Sequence, residues 1–229
     1  VTSQGSPGLT TARDFLLVTS GVEMLLVDGD GGQTLEQWYT PALTASSHTW
    51  ARWPRQVAGM LDQLELEGFD GVIWFNDGVT QALDDDDRVA LAYYVQHGGT
   101  LLLSGQDVVQ QSCDPASPWY SEQAASWFTT VLGVNWAGAA TGATSVSTLS
   151  LSPFARNQSA TLSGAGGAGN NTSPDAVTPA GAGILAQRYG TNAGAGVVAN
   201  WGAGKSYVCA YALEAASPGE TAERWAYAD

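Results

Sequence analysis

The chain has 229 residues with 8 basic and 22 acidic side chains, a formal charge of −14 at pH 7, which repels phosphate backbones and anionic lipid and so argues against nucleic acid and membrane surfaces as partners. With 44% hydrophobic residues, including 9 Trp, 8 Tyr and 5 Phe, it has ample material for a buried core in one large domain or two small ones and is not a disordered acidic tail. Apolar runs such as MLLV at 24–27 and LLL at 101–103 fall far short of the roughly 20 residues that span a bilayer, so no membrane insertion is expected.

In chain order, residues 1–22 read as an N-terminal arm or linker, with turn formers followed by the short apolar stretch 15–18 as a strand for a sheet edge of this chain or a neighbour. Residues 23–229 read as a single domain. MLLVD at 24–28 is a continuous apolar run ending in Asp28; GDGG follows, then LEQWYTPALTASS with Leu35, Trp38, Tyr39 and Leu43 at helical spacing, which predicts strand, loop and helix. HTWARW at 48–53 is a second strand, and LDQLELEGFDGVIWFND carries a short helix into a third at 71–75. The acidic run at 84–87 opens a helix through Gln96, with Val89, Leu91, Ala92 and Val95 facing inward and His97-Gly98-Gly99 closing it. TLLLS at 100–104 is a fourth buried strand, and a helix is expected around 122–132. From about 137 to 183 the chain is rich in Ser, Thr, Ala and Gly, which predicts short strands and long loops, with an irregular glycine loop at 164–171. Strands return at 196–200 and 205–211 around a tight WGAG turn, and TAERWAYAD at the end reads as the start of a helix. Continuous apolar strands alternating with amphipathic helices predict a three-layer α/β/α sandwich with a flavodoxin-like, mostly parallel sheet and a β-rich, Gly/Ser/Thr-rich insertion in its second half.

The ordered motifs LLVDGDGG (25–32), WYTPAL (38–43), FDGVIWFNDG (69–78), HGGTLLLSGQDV (97–108), LGV (132–134) and AYALEA (210–215) resemble class I glutamine amidotransferase-like domains. More narrowly, they are similar to the degenerate, non-catalytic version carried as an accessory module by secreted bacterial peptidases and cell-surface proteins. In active members of that family the strand at 101–103 leads into a sharp elbow with a nucleophilic Cys between glycines, and a His and a Glu follow the last strand. Here Ser104 stands at the Cys position, Leu102 and Gln106 at the glycines, and Ala212-Leu213-Glu214 at the His-Pro-Glu triplet. The resemblance therefore implies no catalytic residue: Ser104, Ala212 and Glu214 are degenerate positions, Leu102 spoils the elbow, and a serine without a base near pKa 7 is not activated. The expectation is a chain that is not an enzyme, a structural or interaction module in adhesion, assembly or as companion of a larger secreted protein, whose partners are other protein domains or copies of itself. A secreted hydrolase using Ser104 and a calcium- or carbohydrate-binding domain are the alternatives.

Asp28, Asp30, Asp77 and Asp107 each lie just past a strand, so they are placed to converge at the carboxyl edge of the sheet as a weak calcium site. DGDGG lacks the spaced ligands of an EF-hand loop, and GDGG has no following Lys-Ser/Thr to hold phosphate. The tryptophans make carbohydrate a candidate partner: Trp74 falls in a strand, Trp38 and Trp127 on helix faces, leaving Trp50, Trp53, Trp119, Trp136, Trp201 and Trp225 as platforms. His48 and His97 are poorly placed as bases. Cys113 and Cys209 either form one disulfide or stand as two buried thiols. Two triplets, Asn157-Gln158-Ser159 and Asn170-Asn171-Thr172, match the glycosylation sequon. With one lysine, Lys205, and 13% charged residues, about half the usual fraction, the surface is of the neutral polar kind expected of an extracellular or cell-surface protein of bacterial type.

Overall fold

Leu25, Leu26 and Val27 are all fully buried, and successive side chains leave a strand on opposite faces. Leu25 and Val27 enter one core with Val72, Trp74, Leu101 and Leu103, while Leu26 enters a second with Ile73, Phe75 and Leu102. Such segments have no polar face to offer water, so they form the interior of a sheet covered on both sides. The computed structural model describes residues 21–78, 80–149, 159–162 and 166–216. The strand expected at 15–18, the helix from 221, Trp225 and the Asn157 triplet's first two residues lie outside the described residues.

The strands are β1 (Met24–Gly29), β2 (Trp50–Pro54), β3 (Gly71–Asn76), β4 (Thr100–Ser104), β5 (Val134–Ala139), β6 (Ser145–Thr148), β7 (Ser159–Thr161), β8 (Asp175–Pro179), β9 (Ile184–Tyr189), β10 (Gly194–Trp201) and β11 (Gly204–Cys209). The helices are α1 (Thr40–Ala45), α2 (Arg55–Ala58), α3 (Gln63–Leu66), α4 (Asp85–Gln96), α5 (Val108–Cys113) and α6 (Glu122–Thr130). Among the described residues nine strands make one open sheet in the order β2-β1-β3-β4-β11-β10-β9-β6-β7, and β5 pairs with β8 in a second. The pairs from β2 through β11 are parallel, and those from β11 through β7 are antiparallel.

This corrects the expected flavodoxin-like, mostly parallel sandwich. Half of the sheet is antiparallel, because β9, β10 and β11 follow one another through tight turns too short for the crossover that a parallel pair requires. The Gly/Ser/Thr-rich stretch is no insertion either, since β6 and β7 extend the main sheet. Nor are there two full helical layers. Side chains of α3, α4, α5 and α6 cover one face, whereas among the described residues the other face receives the short helical turns at Leu35–Trp38 and Leu213–Ala215, α1 and loop residues such as Ala140 and Ala143. The helix expected from Leu35 onward breaks in two because Pro41 sits at the start of α1, where its missing N–H and fixed φ suit a first turn but not a helix interior.

Capping fixes the start of α4. Asp84 Oδ1 accepts from Asp87 N at 2.9 Å, Asp84 N donates to Asp87 Oδ2 at 3.0 Å, and Arg55 bridges the two carboxylates at 2.6 and 3.0 Å. Leu91 and Val95 face inward as expected and Ala92 packs partly buried against the core, joined by Asp87, Arg88, Ala90 and Tyr94, while Val89 faces out against expectation. No helix among the described residues is long and apolar enough to cross a membrane.

Candidate functional site

The parallel strands β1, β3, β4 and β11 end side by side, and the loops leaving them gather polar side chains at one edge, where open α/β sheets bind ligands. Gly105 lets the β4 loop pass the end of β3: a Cβ there would lie 2.5 Å from Val108 Cγ2 and 2.8 Å from the Asn76 carbonyl oxygen. Ser104 is fully buried; its Oγ donates to the Tyr211 carbonyl at 3.2 Å and accepts from Leu213 N at 3.0 Å. The hydroxyl thus locks the β4 and β11 ends together. The left-handed residue of this loop is Asp107, at φ 59°, so no strained elbow forms at position 104.

Glu214 lies beside this pair, buried in the core. Its Oε2 accepts from the Tyr39 hydroxyl at 2.6 Å and its Oε1 from Asn170 Nδ2 at 2.7 Å. Burial pushes the Glu214 carboxyl up, and the two donors oppose that shift. Tyr39 is itself held well above the usual phenol range by burial and by the neighbouring carboxylate, and its ring stacks on Phe75 with centroids 4.5 Å apart. Ala212 contributes its backbone N–H to Asn171 Oδ1 at 3.1 Å. Since Asn170 is committed to Glu214, the Asn170-Asn171-Thr172 triplet is a structural element of this edge.

The four aspartates do not form one site. Asp28 and Asp30 lie with Glu36, their ligand atoms all within 4.8 Å of one another, but Arg52 stands among them. Its Nε is 2.9 Å from Asp28 Oδ2, its Nη2 contacts the same oxygen, and its Nη1 is 3.1 Å from Glu36 Oε1. The guanidinium supplies the charge that a cation would bring. Burial raises the Asp28 carboxyl, with Arg52 pulling the other way. Asp30 is spent on its own loop, accepting from Gly32 N and Leu35 N, each at 2.9 Å. Asp77 accepts from Gln33 Nε2 at 2.8 Å and Thr80 N at 3.2 Å. Asp107 accepts from the Ser173 hydroxyl, and burial raises its carboxyl. Each of the four carboxylates that the sequence assigned to calcium is therefore partnered by a loop donor or an arginine.

Sequence reasoning gave no site role to Tyr39, Arg52 and Asp175, and named Gln106 and Asn170 for other reasons than the bonds they make. Gln106 Oε1 accepts from Thr172 N at 2.6 Å and Ser173 N at 3.0 Å. Asp175 is buried at the start of β8, taking Val109 N at 3.0 Å, Gln110 N at 3.1 Å and Trp136 Nε1 at 3.2 Å. Burial, with the Asp107 charge adding to it, pushes its carboxyl up to about 7 against those donors. No spacing signals these partners, because Tyr39 and Glu214 are 175 positions apart. Cys113 and Cys209 are free thiols, each raised to about 12 by burial, so the disulfide does not form and neither thiol is primed as a nucleophile. His48 pairs with Glu23 at 3.2 Å, and the His97 ring lies against Tyr93 with centroids 3.9 Å apart. Trp53 and Trp74 are buried, whereas Trp38 and Trp119 are each 36% exposed.

No protein-family model matches the sequence, and no curated protein matches it. Solved structures do match the fold. The β-galactosidase from Rahnella sp. R3 is 14% identical with a TM-score of 0.60, over 90% of this chain and 30% of that one. The cytoplasmic protein STM1381 from Salmonella typhimurium LT2 is 11% identical with a TM-score of 0.55, over 85% of this chain and 87% of that one. Agd3, a carbohydrate deacetylase, is 13% identical with a TM-score of 0.53, over 83% of this chain and 29% of that one. The chain thus spans less than a third of the length of the β-galactosidase and the deacetylase. These likenesses show a shared fold. They replace the amidotransferase-like resemblance drawn from motifs, whose apolar strands followed by glycine turns recur wherever a parallel strand meets a tight loop. They also overturn the expectation, drawn from the lost Cys and His of that resemblance, that the chain is not an enzyme, since the fold it shares occurs within the chains of a glycosidase and a carbohydrate deacetylase.

Proposed function

We propose that this chain is a companion domain of a larger carbohydrate-active protein, positioning other domains or further copies of itself. The observation that carries the reading is the asymmetry of coverage: nearly all of this chain corresponds to under a third of the β-galactosidase and of the carbohydrate deacetylase. The carboxyl edge supports it. Ser104, Gln106, Asp107, Asp175 and Glu214 direct their hydrogen bonds at neighbouring loops, and such networks hold loops in one arrangement. A rigid loop surface is what a positioning domain needs. Carbohydrate contact belongs to the same proposal, with Trp38 and Trp119 as the exposed indoles.

A second reading rests on STM1381, whose whole length this chain nearly matches: a protein acting alone at this size. Intact-mass spectrometry of the native polypeptide, with light scattering of its assembly, separates the two. A longer polypeptide carrying a glycan-processing domain is expected; a free monomer of 23.8 kDa would overturn the companion reading in favour of the second. Titration with β-galactosides, followed by tryptophan fluorescence, tests the sugar contact, and a signal unchanged by Trp38→Ala and Trp119→Ala would dismiss these indoles.

A further inference from the structure

The face of the molecule formed by α3 and α4 carries apolar side chains that the described residues leave uncovered. Met60 is 51% exposed, Leu64 76% and Val89 57%. Single exposed hydrophobes are ordinary, but several on one face form a patch that marks an interface. A groove of about 610 Å³ runs here, with Met60, Leu61, Leu64, Val89 and Ala90 along it. On the far side of Val89 a second groove of about 470 Å³ separates α4 from α6, lined by Ala92, Tyr93 and Trp127 among others. Val89 is therefore the crest of a ridge between two grooves, the shape into which a helix packs its side chains.

The charge around this surface has one sign. Asp62, Glu65 and Asp86 border the first groove. The cation of the second, Arg88, is buried and held by Asp85 and the Leu83 carbonyl, so it offers nothing outward. A second copy of this chain, at −14, is repelled by such a face.

We infer that the α3–α4 groove docks an amphipathic helix of a partner domain, one whose apolar stripe covers Met60, Leu64 and Val89 and whose flanking Lys or Arg residues meet Asp62, Glu65 and Asp86. The inference rests on the companion-domain reading and names the chemistry of its partner surface. Helix-in-groove recognition places affinity in the apolar anchors and orientation in the charged rim.

The test uses the full chain and a fluorescein-labelled synthetic helix of Leu and Lys, with its Leu and Glu counterpart, in anisotropy titrations at about 0.15 M ionic strength. Binding of the Leu/Lys helix is expected, with the Leu/Glu helix at least about tenfold weaker. Leu64→Glu and Val89→Glu, both at exposed positions that leave the melting temperature unchanged, should each weaken the Leu/Lys helix about tenfold. The added negative charge makes this decisive, because attraction that is electrostatic alone would strengthen. Equal binding by the variants, or no preference between the two helices, overturns the inference. So do carboxyl-directed cross-links from Asp14 to Asp86, which would put the chain's own arm in the groove, and a dimer that Val89→Glu dissolves. The titration reads this surface alone, so its failure leaves the mass measurement to decide the companion reading separately.

Discussion

At the scale of single residues, the carboxyl edge matches the buried oxygens of Ser104, Gln106, Asp175 and Glu214 to named donors. A buried polar group left without its partner costs about 1–3 kcal/mol, more when charged. Tyr39→Phe removes the hydroxyl that Glu214 Oε2 accepts at 2.6 Å while keeping the ring on Phe75, so a loss of about 1–3 kcal/mol is expected in urea unfolding. A near-neutral result would mean that water replaces the hydroxyl at that carboxylate. Arg52→Gln tests the other end of the edge. It leaves Asp28, almost fully buried, without its counter-charge, and a loss of similar size is expected. If calcium at millimolar concentration then restores the melting temperature of the variant but does not raise that of the native chain, Arg52 occupies the place of a cation. A rise in the native chain would instead revive the calcium reading.

Individual elements show where local pattern is enough. The apolar runs of β1, β3 and β4 and the acidic start of α4 are legible in the sequence because burial on two faces and helix capping are each written in a few adjacent residues. Asp84→Ala removes the cap on Asp87 N and one carboxylate of the Arg55 bridge, and about 1–2 kcal/mol of stability should be lost. Ser121→Ala, at the cap of α6 where Ser121 Oγ accepts from Ala124 N at 3.0 Å, should cost about 1 kcal/mol without an ion pair to lose. Equal effects in the two would show that Arg55 contributes nothing to α4. One inward position of α4, Val89, was misread for a physical reason. Spacing alone favoured it, but Asp87 and Arg88 take inward places through Arg55 and the Leu83 carbonyl, and Val89 lies at the surface.

For the whole molecule, burial acts on its acidic groups in one direction. The carboxyls of Asp28, Asp87, Asp107, Asp175 and Glu214 are all raised above their ordinary range by burial. A raised acid binds its proton more tightly in the folded than in the unfolded chain, so its contribution is fully present below the unfolded pKa and is lost as pH rises through the folded value. The window runs from the ordinary carboxyl value of 3.8 to about 7 for Asp175. Mutual repulsion in a chain of −14 acts with the same sign. The melting temperature should therefore be roughly 5 °C or more higher near pH 5 than near pH 7.5, and Asp175→Asn should flatten the upper part of that slope. A stability that rises toward neutral pH would show these carboxyls ionised and well solvated. By itself the sequence determined the strand–helix alternation, the two-sided burial of the central strands and the capping of α4, because hydrophobic periodicity and cap chemistry are local. Only the tertiary structure decided the antiparallel half of the sheet, the free state of Cys113 and Cys209, the division of the four aspartates among separate donors, and the meeting of Tyr39, Asn170 and Glu214. Those outcomes depend on which strands become neighbours and which loops close over the same edge. Contacts between residues 44 to 175 positions apart leave no mark in local spacing.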